Sequence, residues 1–166
     1  MAQASTELPV RGVIPIDRLF GDDEEDTRLL LELASKAQRY ISKFSWCRSV
    51  REAYFGDSYG KVVAVFFFHI EPSRPGVDEW LWVVVGDLPS AYLVIDVLKT
   101  PSQALAGYVG EMSEWVKLAK EGRSSKEVIS VNAAPTPESA MMLEARLKVL
   151  SERIVPALQA NEAAHS

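Results

Sequence analysis

A nearly continuous apolar stretch in the middle of the chain places the strongest constraint on its fold. Residues 62–70 are apolar at every position except His69, so both faces of a strand formed here are apolar. Two further apolar runs, residues 80–85 and 91–95, follow after connections of about five to nine residues. Connections this short cannot hold the helical crossovers that parallel strands require. The sequence therefore predicts antiparallel neighbouring strands, with helices or a partner subunit over the second face of their sheet.

Composition limits the classes of protein to which the chain can belong. Its 166 residues carry a net charge of −5, and 48% of them are hydrophobic, which indicates one globular domain without the basic stripe of a nucleic-acid-binding protein. Cys47 is the only cysteine, so no intramolecular disulfide or cysteine-based zinc cluster is expected. The longest apolar run is far shorter than the roughly 20 residues of a membrane span. We expect a soluble bacterial protein in the reducing cytoplasm.

Helix-start signals divide the rest of the chain. Asp22 or Asp23 can cap a first helix, and Thr-Pro pairs at Thr100 and Thr136 predict the starts of a second and a third. Pro156 predicts that the third helix ends or kinks near Val155. We expect an extended N-terminal arm over residues 1–21, a single α+β domain over 22–158 and a frayed tail over 159–166.

The predicted sheet has about four strands, flanked by three helices in the order αββββαα. The first strand is expected at residues 50–55 and the hairpin turn at residues 56–60, which contain two glycines and an aspartate. Residues 56–61 also resemble a phosphate loop superficially, but they lead into a strand rather than a helix, which favours the hairpin turn. The connector after the second helix is predicted to contain a short extended piece at residues 128–131.

His69 is the leading candidate for a chemically active side chain. Glu71 lies two residues further along the same strand and is expected on the same face, while Asp78 and Glu79 lie across the following loop. A histidine held by a carboxylate can act as a general base. However, the sequence has no evident nucleophile motif and no metal-binding histidine pair. The favoured interpretation is therefore a semi-buried histidine with satisfied ring nitrogens, and we assign no catalytic residue, metal or cofactor.

A second group of candidates is aromatic. Trp80, Trp82 and Tyr92 lie on neighbouring strands, and Arg74 lies in the preceding loop. Trp, Tyr and Arg dominate the binding hot spots of protein interfaces. The alternative is that these aromatic residues form core against a helix, and burial of large side chains makes this the favoured interpretation. The candidate binding residues are His69, Glu71, Arg74, Trp80, Trp82 and Tyr92.

Two stretches resemble known proteins. Residues 78–96 read DEWLWVVVGDLPSAYLVID and residues 104–116 read ALAGYVGEMSEWV, about a fifth of the chain together. This combination resembles small bacterial protein families classed as domains of unknown function. In size, acidity and α+β order the chain is also similar to the immunity proteins that neutralise bacterial toxins. The resemblance implies no functional residue.

The leading hypothesis is a non-enzymatic protein-binding module, immunity-like, whose acidic surface and sheet-edge aromatic residues engage a basic protein. The alternative is a small enzyme or ligand-binding domain with a pocket around His69, Glu71 and the tryptophan strand. A third hypothesis is a homodimer joined through whichever sheet face the helices leave open. None of these hypotheses involves nucleic acid, a membrane or a cofactor.

Overall fold

In the part of the chain that the structure describes, five antiparallel strands form one sheet in which every strand pairs with its neighbour in the sequence. The computed structural model describes residues 8–123 and 136–164. The strands are β1 (Ile14–Pro15), β2 (Cys47–Tyr59), β3 (Val63–Pro72), β4 (Trp80–Gly86) and β5 (Ala91–Val94). The helices are α1 (Glu24–Ser42), α2 (Pro101–Lys120), α3 (Pro137–Val149) and α4 (Val155–Ala164). A 3-10 turn at Ile16–Arg18 follows β1, and a π-helical segment at Leu150–Ile154 joins α3 to α4.

The α+β class and the antiparallel sheet are confirmed, but the described sheet has five strands where about four were predicted. The predicted arm at residues 1–21 contributes the additional strand, because Ile14 pairs with Phe55 and Pro15 with Tyr54. A two-residue strand leaves no periodic signal in the sequence, since alternation needs several residues to become visible.

Helices cover both faces of the sheet. Alternation along β3 places Val63, Val65 and Phe67 in a core that also contains residues of α2, α3 and α4. The other face of β3 packs in a second core, which includes Ala37 and Ile41 of α1. The prediction of a sheet covered on both sides is therefore confirmed, and helices of the same chain provide the cover.

The three predicted helix starts are confirmed by their caps. The Asp23 side chain accepts a hydrogen bond from the Asp26 amide at 2.8 Å. Thr100 accepts from the Gln103 amide at 3.3 Å, and Thr136 accepts from Ser139 at 3.2 Å. Each cap satisfies one of the amides that the first helical turn leaves without an intrahelical partner.

The first long strand extends beyond its predicted limits. β2 continues through Gly56 to Tyr59, and the turn lies at residues 60–62 instead of 56–60. Gly56 is needed for close packing, because a Cβ there would lie 2.9 Å from Pro101 Cγ and 3.0 Å from the Val65 carbonyl oxygen. Gly60 is the turn glycine, with φ of +53°. The hairpin was predicted correctly and its turn was placed too early.

The C-terminal helix also differs from the prediction. Helical structure continues past Pro156 to Ala164, whereas a frayed tail was expected from residue 159. The π-helical segment accommodates Pro156: the Val155 amide bonds to the Leu150 carbonyl, five residues back, and Pro156 follows as the second residue of α4. The predicted extended piece at residues 128–131 lies outside the described residues.

Candidate functional site

His69 lies near the end of β3, opposite Trp80 of β4. The two rings are stacked, with centroids 3.9 Å apart and planes 5° from parallel. Trp80 in turn stacks at 5.4 Å on Phe67, which is fully buried. The histidine is thus the outermost ring of an aromatic stack that starts in the core, and its side chain is 15% exposed.

Carboxylates flank both nitrogens of the His69 ring. Nδ1 lies 3.3 Å from Glu52 Oε1, and Nε2 lies 2.9 Å from Glu79 Oε1. Glu52 is directly across from His69 on β2, and Glu79 immediately precedes β4. A protonated imidazole donates to both carboxylates, whereas a neutral ring donates to one of them. In this geometry both ring nitrogens face carboxylates of the same chain, at the end of β3.

Glu71, the carboxylate predicted to accompany His69, has other partners. It accepts from the Ser49 hydroxyl at 3.3 Å and lies 3.7 Å from Arg48 Nη1 and 3.9 Å from Arg51 Nη2. Sequence reasoning placed Glu79 near His69 but missed Glu52. β2 shifts register between Cys47 and Ser49 and again between Val50 and Glu52, so its pairing with β3 could not be read from simple alternation.

The carboxylates around His69 do not form a metal site. Glu52 and Glu79 lie at opposite nitrogens of one ring, so they cannot direct their oxygens and a ring nitrogen at one ion. Across residues 8–123 and 136–164, no group of three or more His, Cys, Asp or Glu side chains is arranged to hold a metal ion.

The aromatic candidates separate into different parts of the fold. Trp82 is fully buried, and its indole N–H donates to the Leu98 carbonyl at 2.8 Å. Tyr92 is half-buried and packs against the core of the opposite sheet face, 5.3 Å from Phe44 and 5.1 Å from Trp46 between ring centroids. Trp82 is thus a core residue, whereas Tyr92 lies at the edge of the second core. Arg74 is exposed in the loop between β3 and β4.

The clefts that can be described lie away from His69. One, of about 730 Å³, follows the outer face of α1 between Glu24 and Ser35. A second, of about 680 Å³, lies at the β4–β5 turn, and two more flank α3. None of these four clefts in the described part of the chain is lined by His69, Glu71 or Trp80.

The outer face of α1 is acidic and partly apolar. Glu24, Glu25 and Glu32 line it together with Leu31, whose exposed fraction is 44%. Arg28 forms ion pairs with Glu25 and, at 3.9 Å, with Glu32. Sequence reasoning identified only the acidic first turn. The seven-residue spacing between Glu25 and Glu32 is the signal that could have shown that both carboxylates share one helix face.

None of the described helices combines the length and the apolarity that a membrane crossing requires. No protein-family model matches the chain, and no curated protein or solved structure matches it significantly.

Proposed function

We propose that this chain is a soluble, cytoplasmic bacterial protein with a non-enzymatic role, an immunity-like module that binds a basic protein partner. The observation that carries the proposal is the outer face of α1, where three glutamates (Glu24, Glu25 and Glu32) outnumber one arginine (Arg28) beside the exposed side chain of Leu31. Acidic side chains around an apolar contact provide both electrostatic attraction and buried area for a basic segment. All the residues that line this cleft belong to one helix, which suits a protein surface better than an enclosed small ligand.

Local roles account for only part of the acidic cluster at the start of α1. Asp23 caps the helix, and the Asp26 carboxylate accepts from the Asp22 amide at 2.9 Å. Glu24 and Glu25 also lie in the first turn, where a carboxylate stabilises a helix by about 0.3–1 kcal/mol. Glu32 lies beyond that turn, so the helix dipole does not explain it, and its ion pair with Arg28 is exposed and therefore weak. An extended acidic face is what a basic partner would recognise.

The other two hypotheses receive less support. An enzyme built around His69 would need a free ring nitrogen and a neighbouring cleft, whereas both nitrogens face carboxylates and the described clefts lie elsewhere. A homodimer through an open sheet face would need an uncovered face, whereas helices cover both. Trp82 is fully buried and Tyr92 packs against Phe44 and Trp46, so we place the proposed contact surface on α1 instead of on the aromatic strand.

The test begins with affinity capture of binding proteins from a bacterial lysate, using the intact chain. Any captured basic protein is then purified, and its association rate is measured at low and high salt. In the variant Glu24→Gln/Glu25→Gln/Glu32→Gln, we expect association to slow by about tenfold at low salt and to depend less on salt, because long-range steering is lost. Asp23 and Asp26 are retained because they hold the helix start.

A matched control removes the same number of negative charges elsewhere. Glu111→Gln/Glu114→Gln/Glu152→Gln alters exposed positions on α2 and in the π-helical segment. The control should associate with the partner nearly as fast as the unmodified chain. Equal slowing in both variants would show that net charge alone matters, and the α1 surface would then be abandoned as the binding site.

A further inference from the structure

The cleft at the β4–β5 turn differs in charge from the rest of this acidic protein. Its lining includes Lys36 of α1, Lys43, which directly follows α1, and Arg146 of α3, with Asp87 as its one carboxylate. α1 and α3 lie on opposite faces of the sheet, so the cleft crosses the sheet at its end. We call it the turn cleft. Three cations against one anion create a local positive potential on a chain whose net charge is −5.

Two of these cations hold the turn between the helices. Lys36 Nζ donates to the Gly86 carbonyl at 2.9 Å, and Arg146 donates to the Asp87 carbonyl. These bonds fix both walls of the turn cleft to two consecutive residues of the same turn. Arg146 also forms an ion pair with the Asp87 carboxylate, 3.7 Å away, but an arginine has five donors and a lysine three. Donors therefore remain for a ligand in a cleft whose walls are already positioned.

Lys43, unlike Lys36 and Arg146, is not bonded to the turn, and no ion pair holds it within the described ranges. Its ammonium lies 5.0 Å from the centre of the Tyr40 ring and 5.9 Å from that of Phe44. Lys36, Tyr40 and Lys43 are spaced by four and three residues, and Lys43 caps the end of α1 with helical dihedral angles, so the three lie on one side of the helix. A cation over aromatic faces is a weak contact when it is exposed to water, so an anionic ligand can recruit it at little cost.

The remaining lining of the turn cleft is aromatic, aliphatic and neutral. Tyr40, Phe44, Leu88 and Pro89 provide apolar surface, and Ser90 provides a hydroxyl. Burial raises the pKa of Tyr40 to about 12, and the neighbouring Tyr92 hydroxyl adds to the rise. The Tyr40 phenol is therefore neutral at physiological pH and does not oppose a bound anion. With a volume of about 680 Å³, the cleft is in the range of sites for small organic ligands.

We propose that the turn cleft binds a small organic anion with a planar ring, of the aryl phosphate or aryl carboxylate class. Lys43 and the free donors of Lys36 and Arg146 would hold the anionic group, and the ring would lie against Tyr40, Phe44 and Pro89. This proposal is independent of the acidic surface at the start of α1, since it uses the second half of that helix and the opposite charge.

The test is isothermal titration of the intact chain with phenyl phosphate, and in parallel with inorganic phosphate and with phenol. Phenyl phosphate should bind at least about fivefold more tightly than either comparator, because it alone combines the charge and the ring. Lys43→Gln should weaken phenyl phosphate binding by about tenfold, the usual effect of losing one charge-assisted contact. Lys43→Glu should weaken it further by repelling the anion.

Lys117→Gln is the matched control, because it removes an exposed lysine from α2 outside the turn cleft. It should leave the affinity for phenyl phosphate unchanged, and thermal melting should show that all three variants remain folded. Absence of heat with phenyl phosphate at about 10 mM would overturn the proposal, since binding weaker than that has no specificity. Equal affinity for inorganic phosphate would overturn it as well, and so would an affinity that Lys43→Gln leaves unchanged.

Discussion

The imidazole of His69 lies between Trp80 and two carboxylates, and this arrangement makes a prediction for a single residue. Replacement by Gln removes the ring stack and leaves at most one hydrogen bond to Glu52 or Glu79. We expect His69→Gln to lower the free energy of unfolding by about 1–2 kcal/mol. The carboxylates of Glu52 and Glu79 are exposed, so water weakens their interaction with the ring, and the stack on Trp80 supplies the remainder. Urea denaturation at neutral pH measures this change.

Glu71→Gln serves as the control for that measurement, because Glu71 bonds to Ser49 and the nearby arginines instead of His69. In a double-mutant cycle, His69 and Glu79 should show coupling of about 0.5–1 kcal/mol, whereas His69 and Glu71 should show none. Coupling of the same size between His69 and Glu71 would show that Glu71 also interacts with His69, and the assignment of Glu79 as the partner of His69 would be wrong.

The sequence predicted the surroundings of single residues only where no contact between strands was involved. The burial of Trp82 was favoured because large aromatic side chains mostly bury their own area, and Glu79 was correctly placed near His69 by its position after the loop. Glu52 was missed because two register shifts in β2 decide which of its side chains faces His69. Such shifts depend on packing against the whole sheet, which a local sequence pattern does not record.

At the scale of elements, helix starts were predictable because a cap is a local interaction. The contacts between elements far apart in sequence were not, and the best example joins α4 to α2. The Glu162 carboxylate accepts from the Ser102 amide at 2.8 Å and from the Ser102 hydroxyl at 2.7 Å. It thus satisfies an amide in the first turn of α2 from a position that was expected to be frayed.

This contact predicts that the C-terminal helix stabilises the fold. Glu162→Gln should lower the free energy of unfolding by about 1–2 kcal/mol, because a charge-assisted bond to a helix start becomes a neutral one. Glu152→Gln, at an exposed position of the π-helical segment, should change it by less than about 0.5 kcal/mol. Hydrogen exchange should also become faster in α4 of the Glu162 variant. If the two variants were equally stable, α4 would be held by its apolar contacts alone.

At the scale of the whole molecule, one strand contributes to two cores. Phe66 packs with Phe55 and Phe68 on the α1 side of the sheet, and Phe67 packs with Trp80 and Trp82 on the side of α2 to α4. The apolar run of β3 allowed this two-sided burial to be predicted. Which helix covers which face could not be read from the run, because both faces are equally apolar.

Because β3 belongs to both cores, the two layers should unfold together. Phe66→Ala and Phe67→Ala each empty a fully buried site, and each should lower the free energy of unfolding by about 3–5 kcal/mol. Urea denaturation followed by tryptophan fluorescence and by far-UV circular dichroism should give coincident single transitions for both variants. The exposed Val97→Ala is the control and should shift the midpoint little. Separate transitions in either phenylalanine variant would show that the α1 layer and the three-helix layer fold independently on a shared sheet, contrary to the continuity of β3 through both cores.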